Sequence, residues 1–142
     1  MIQEIMIINN AGIALFYHSF IDEKKTNDHQ SLAGYFDIIC KFTKNSFKES
    51  LRMLTLDSFI FFFFTHSTKY HLVLKCSNQK INRSLLEDIA ESILNTFLFL
   101  FKDTLVNFDG EISHFKSFSN TIEELVTSKL KGYKEPIFIE SQ

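Results

Sequence analysis

Phe59-Ile60-Phe61-Phe62-Phe63-Phe64 is the stretch on which the fold turns. It is too short for an ordinary helix. It is bounded by Asp57 on one side and by His66-Ser67-Thr68-Lys69 on the other, so it reads as a strand over Ser58–Thr65. A half-exposed strand alternates apolar and polar residues, but this run is apolar at both parities and is therefore expected to be buried on both faces. A sheet built around it needs helices on both sides. The preceding segment, Glu49–Leu56, is mixed, with Ser50 and Arg52 interrupting its apolar residues as an edge strand would allow. After the turn the chain returns as Tyr70–Ser77, which completes three antiparallel strands in a meander.

Towards the N-terminus, Ile2, Ile5, Met6, Ile7 and Ile8 form a short β-branched run closed by Asn9-Asn10-Ala11-Gly12. Asn and Gly tolerate the positive φ angles of tight connections, so residues 2–20 are predicted to be a hairpin whose second strand is Ile13–Phe20. The charged stretch Asp22–Asp28 reads as a solvated loop. From His29 to Asn45 the period changes, with Leu32, Phe36, Ile39 and Thr43 on one helical face and Asp28 or Ser31 available as the cap. Beyond the meander, a long helix is expected from Asn82 to Val106. Asn82 or Ser84 would cap it, Glu87 would complete a capping box, and Leu86, Ala90, Ile93, Phe97, Leu100, Phe101 and Phe108 would form its stripe. Asp109-Gly110 closes that helix, and a shorter one runs from Thr121 to Leu130. The tail Tyr133–Gln142 holds the only Pro and the short apolar run Ile137-Phe138-Ile139.

The balance of residues excludes several classes. At 142 residues the chain is the size of one domain. Fifteen Lys and Arg against seventeen Asp and Glu leave a formal charge of −2, which gives no strong field for nucleic acid or anionic lipid. Two cysteines cannot build a disulfide framework, so a reducing, cytoplasmic setting is expected. No basic region precedes the first apolar run, and neither Phe59–Phe64 nor Phe97–Phe101 approaches the ~18 residues of a membrane span.

Chemistry is sparse. Gly12, Gly34, Gly110 and Gly132 form no phosphate loop, and HExxH, nucleophile-elbow and CxxC motifs are absent. Cys40 and Cys76 read as buried small hydrophobes. His66 and His71 flank a strand turn and read as a surface pair, too few ligands for zinc. Asp109, Glu111 and His114 surround an ordinary Asp-Gly turn, and Lys129, Lys131 and Lys134 suit a solvated helix end. No enzyme, metal site or cofactor is expected.

One surface feature stands out. Tyr35, Ile38 and Phe42 form a second apolar stripe on the flank of the first helix, spaced i, i+3, i+7. The edge strand carrying Leu51, Met53, Leu54 and Leu56 is its expected neighbour. Together they predict an apolar groove floored by unpaired strand backbone, suited to strand addition or to a docked helix. Tyr35, Ile38, Phe42, Leu51 and Met53 are the candidate partner-binding residues. Phe99 is a second outlier, on the polar side of its helix.

Several strings resemble longin domains. Ile5-Met6-Ile7-Ile8-Asn9-Asn10-Ala11-Gly12-Ile13-Ala14-Leu15-Phe16-Tyr17 resembles their first hairpin, and Tyr70-His71-Leu72-Val73-Leu74-Lys75 their fifth strand. Leu85-Leu86-Glu87-Asp88-Ile89 is similar to the start of their long helix, and Phe108-Asp109-Gly110-Glu111-Ile112-Ser113-His114-Phe115 to the connection into their last one. The resemblance covers residues 2–130. Sedlin-like tethering subunits, sigma subunits of clathrin adaptors, amino-terminal domains of some SNAREs, archaeal longins and, in permuted form, roadblock domains share that fold. SNARE heptads and a membrane anchor are not found after the domain, which disfavours the SNARE branch.

The resemblance implies an α/β (α+β) fold of the longin/profilin-like kind. This is a three-layer α-β-α sandwich around a five-stranded antiparallel sheet, in the order β-β-α-β-β-β-α-α. It would occupy residues 1–131, with 132–142 as a tail. It also implies a non-catalytic interaction module, an adaptor or scaffold of membrane traffic or small-GTPase regulation. The partners would be a small GTPase, another longin or roadblock domain, or a second copy, with any membrane association peripheral and through partners. The family's docking groove lies between first helix and third strand, where the five candidate residues fall. A small-molecule sensor of the same fold class, holding a ligand between helix and sheet, is the alternative.

Overall fold

A computed structural model describes residues 2–21, 28–67, 69–78 and 82–132. The expected loop at 22–27 and the expected tail at 133–142, including Lys134 and Ile137-Phe138-Ile139, lie outside the described residues. The chain divides into two compact units, Met1–Gln79 and Lys80–Gln142.

The first unit is a five-stranded antiparallel sheet with one helix. Its strands are β1 (Ile2–Asn9), β2 (Ala14–Ser19), β3 (Met53–Thr55), β4 (Phe59–His66) and β5 (Tyr70–Ser77), and its helix α1 (His29–Phe47) follows β2. The spatial order is β2-β1-β5-β4-β3, so the first and last strands of the unit meet at the centre. Side-chain parity divides the sheet. Leu54, Phe61, Lys75 and Glu4 are paired across one face; Met53, Phe62, Leu74 and Ile5 are paired across the other. On the first face Met6, Ile8, Phe63 and Val73 form a core with Ala33, Phe36 and Cys40 of α1. On the second, Ile5, Ile7, Leu72 and Leu74 are fully buried, so the central strands are dry on both sides. In β4 that holds at Phe62 and Phe63, while the flanking Phe61 and Phe64 are half-buried. The doubly buried centre is therefore β1 and β5, with β4 one place in from the edge.

Local chemistry fixes the connections. Asn9 Oδ1 accepts hydrogen bonds from the amides of Ala11 and Ile13, 3.0 Å each, and Gly12 takes φ +81°. A Cβ on Gly12 would also stand 3.5 Å from Asp37 Oδ2, so the turn needs glycine for its conformation and sits close to α1. Asp28 caps α1, accepting from the Ser31 amide. The first helical turn also seals an edge: the Gln30 side chain accepts from the Ala14 amide at 2.9 Å and donates to its carbonyl at 3.0 Å.

Several element bounds differ from the sequence expectations. The third strand is Met53–Thr55 rather than Glu49–Leu56. The helix runs to Phe47 and Lys48 closes it at φ 59°, so residues 49–52 are spent crossing from helix to sheet. The expected helix Asn82–Val106 is two, α2 (Arg83–Leu100) and α3 (Lys102–Val106), broken at Phe101.

The second unit contains these, a 3-10 turn at Ile112–Phe115 and α4 (Phe118–Gly132), three residues earlier than expected at its start. Phe97, Phe101, Phe115 and Phe118 gather with ring centroids 5.1–6.0 Å apart, and Phe108 lies 5.8 Å from Phe115. Bending the chain at Phe101 lets these rings meet as tilted and edge-to-face pairs. Asn82 caps α2, whereas Glu87 pairs with Arg83 at 3.6 Å instead of completing a capping box.

Phe36 is 3% exposed and its ring lies 5.2 Å from Phe61 and 5.1 Å from Phe63. Phe36→Ala is expected to cost about 3–5 kcal/mol of unfolding free energy in urea titrations. A loss below about 1 kcal/mol would mean that this ring does not hold α1 to the sheet.

Candidate functional site

The inward face of α1 is Ala33, Phe36, Asp37 and Cys40. At 3.6 residues per turn this is rotated by about 80° from the expected stripe of Leu32, Phe36, Ile39 and Thr43. The rotation moves Tyr35, Ile38 and Phe42 from the flank to the side facing away from the sheet. They are 54%, 67% and 58% exposed. Phe47, also exposed, extends the stripe by an edge-to-face contact with Phe42 at 6.0 Å.

The other two candidate residues are not brought into this stripe. Leu51 is half-buried and packs against the core on the α1 side of the sheet. Met53 is partly exposed, but its register with Phe62 turns it to the opposite sheet face. Leu54, not Met53, shares the face covered by α1. β3 ends the sheet, and its outer backbone edge pairs with no strand among the described residues.

Beneath α1 lies a polar cluster that apolar periodicity did not reveal. Asp37 is 5% exposed. Its Oδ2 accepts from Lys41 Nζ at 2.8 Å, and the same ammonium donates to the Asn10 carbonyl at 2.8 Å. Asp37 Oδ1 is buried without a hydrogen-bond partner among the described residues, with His71 Nε2 3.6 Å away. His71 Nδ1 shares a hydrogen bond with Thr65 Oγ1 at 3.1 Å. His66 and His71 are thus no surface pair. His71 is buried, while His66 is exposed and bonded to Ser67 Oγ. The signal was strand parity: His71 is in register with Ile8 and Thr65, on the side that α1 covers.

Burial holds the His71 imidazole below its ordinary pKa of 6.5. Asp37 opposes that shift and Lys41 adds to it. Burial also pushes the Cys40 thiol up to about 11 and that of Cys76 to about 12, so both are neutral small hydrophobes. The Asp109 turn is a local construction. Asp109 Oδ1 accepts from the Glu111 amide at 2.9 Å, and Oδ2 faces His114 Nε2 at 3.3 Å, all exposed. Among the described residues no three His, Cys, Asp or Glu side chains cluster to hold a metal. No helix among them is long and apolar enough to cross a membrane.

The sign of the histidine shift gives a pH dependence. Because the folded pKa is depressed, the unfolded chain takes up the proton first as pH falls. Stability is full well above the unfolded-state value of 6.5 and is lost as pH falls through it. His29, stacked on Tyr17 at 3.6 Å and also lowered by burial, acts with the same sign. Stability measured by urea is expected to fall between about pH 7.5 and about pH 5.5, and His71→Gln to shrink the fall, leaving the part due to His29. An unchanged pH dependence in His71→Gln would show that the imidazole is not the group responsible.

No family model matches the sequence, and no curated protein does. Among solved structures, a chain of the mammalian SRP receptor aligns at TM-score 0.58 with 10% identity, over 93% of this chain and 97% of that one. MglB, the gliding protein of Thermus thermophilus, aligns at 0.46 with 13% identity, over 54% of this chain. Myxococcus xanthus MglB aligns at 0.46 with 10% identity, over 56% of this chain and 68% of its own. The aligned part spans 61% of the Thermus protein's length. The identities are low and the first alignment is nearly end to end: the likeness is one of fold, and the fold is longin-like.

Proposed function

We propose that the chain is a non-catalytic protein-interaction module, an adaptor or scaffold that docks a small GTPase along the outer face of α1. The observation that carries this is the stripe of Tyr35, Ile38 and Phe42, exposed on the side of α1 turned away from its own sheet. Three large apolar residues at i, i+3, i+7 are the anchor pattern of a helix that lies in a partner's groove. Aromatic and aliphatic anchors of this kind carry most of the energy of an interface when buried. The free edge of β3 offers backbone hydrogen bonds as a second element.

The partner class follows from the resemblance to longin domains, as does a cytoplasmic setting in membrane-traffic or GTPase-regulating complexes. Other longin or roadblock domains, or a second copy, would use the same stripe. Residues 1–131 form the docking domain in this reading, and 132–142 its tail.

The test is binding of the full chain to host small GTPases, each loaded with GDP or a non-hydrolysable GTP analogue. Ile38→Asp is expected to weaken binding by more than about tenfold while leaving the unfolding midpoint nearly unchanged, because the side chain is exposed. Met53→Asp, on the other sheet face, is expected to retain binding. An Ile38→Asp variant that binds as well as the original chain would remove α1 as the docking surface; one that unfolds would place Ile38 in the core.

A further inference from the structure

Between the C-terminal half of α1 and the sheet is a cavity of about 170 Å³ lined by Asn10, Cys40, Lys41, Lys44, Leu51 and His71, with Ser50 and Thr65 at its polar side. A cavity of about 150 Å³ holds a benzene molecule, so this one takes an occupant of similar bulk. We propose that it binds a small monoanion with an apolar body, of the class of an aromatic or short-chain carboxylate. The inference is independent of the docking surface, which lies on the other side of the helix.

The apolar part follows from the walls. Cys40 is a neutral thiol at physiological pH and Leu51 is aliphatic, so together they present a surface that gains by excluding water. The polar part converges from separate elements, as small-ligand sites do. The hydroxyl of Thr65 comes from the end of β4 and the imidazole of His71 from the start of β5. The Ser50 hydroxyl comes from the connection out of α1.

The charge follows from counting what is already spent. Lys41 is held by Asp37 and by the Asn10 carbonyl, both at 2.8 Å, so its charge balances the buried carboxylate. The depressed pKa of His71 keeps the imidazole neutral at neutral pH. Lys44 lines the cavity at its exposed rim, and its ammonium makes no hydrogen bond or ion pair among the described residues. One uncommitted cation on a neutral, partly apolar cavity selects a single negative charge on an apolar body. A divalent cation has no ligand set here, since the one nearby carboxylate is taken by Lys41.

The probe is benzoate, titrated into the full chain and followed by amide chemical shifts. Benzamide tests the charge and inorganic phosphate tests the apolar body. Benzoate is expected to cause saturable shifts at Cys40, Ser50, Leu51, Thr65 and His71, with benzamide and phosphate binding at least about tenfold more weakly. Lys44→Ala should weaken benzoate by about tenfold, the loss of one charge-assisted hydrogen bond. Leu51→Trp should abolish binding by filling the cavity, and Cys40→Met serves the same purpose if the first variant does not fold. Absence of saturable shifts with benzoate and hexanoate would overturn the proposal. So would equal binding of benzamide, tighter binding of phosphate, or an unchanged affinity in Lys44→Ala.

Discussion

The packing of α1 on the sheet is the constraint from which the rest follows. Phe36 sits between Phe61 and Phe63 of β4, while Ala33 and Cys40, three and four residues to either side, let the backbone come close. A helix anchored at these positions has no freedom to rotate, because each residue advances by about 100°. Fixing Phe36 and Asp37 inward fixes Tyr35, Ile38 and Phe42 outward. The exposed stripe is thus a geometric consequence of the core and not a separate feature. Turning the stripe inward would lift Phe36 out of its rings and bring Ile38 to the sheet in its place.

The anchor carries a cost that the surrounding residues offset. Burying a carboxylate without a partner is expensive enough that the group normally stays paired. Asp37 is accommodated because Lys41 lies one helical turn on and reaches it at 2.8 Å, and because the same ammonium ties to the Asn10 carbonyl in the β1–β2 turn. Gly12, in the left-handed conformation at φ +81°, shapes that turn so that it passes beside the carboxylate. One ion pair therefore joins the helix to the first hairpin turn, while the hydrogen-bonded Thr65 and His71 at the ends of β4 and β5 pack beside it, His71 Nε2 3.6 Å from the carboxylate. Removing Lys41 would leave a buried charge uncompensated, which costs more than the pair contributes.

How far the sequence could be read follows from the same residues. The β1–β2 hairpin, α1 and β5 were readable, because Asn9 through Gly12, the Asp28 cap and an apolar run with local turn signals are all local information. The orientation of α1 was not. Asp37 is polar and Ile39 apolar, so periodicity alone placed the first outside and the second inside. The pairing that reverses this requires Lys41, Asn10 and His71 to be neighbours, which only the tertiary structure supplies. Met53 was assigned to the groove for a similar reason. With the strand expected to begin at Glu49 its parity was free, and only its register with Phe62 shows which face it takes. The break at Phe101 was hidden because Leu100 and Phe101 continue the stripe of α2. The aromatic cluster with Phe115 and Phe118 decides the bend, and its members are distant in sequence.

A single helix thus presents an apolar stripe to solvent and bounds a cavity on its inner side, the two separated by about 10 Å, the helix diameter. Proximity does not by itself couple them. Two sites affect one another only if each ligand favours a different arrangement of some shared element. The anchored middle of α1 is a poor candidate for that element, since Phe36 and the Asp37–Lys41 pair hold it in one position. The connection from Lys48 to Arg52 is a better one. It carries Ser50 and Leu51 on the cavity, leads directly into the free edge of β3, and contains the left-handed Lys48. An occupant that draws Leu51 inward would move the backbone on which Met53 to Thr55 pair with β4. Were both proposed sites occupied, coupling between them would run through the short strand and its connection, because Phe36 and the Asp37–Lys41 pair hold the helix as a fixed frame.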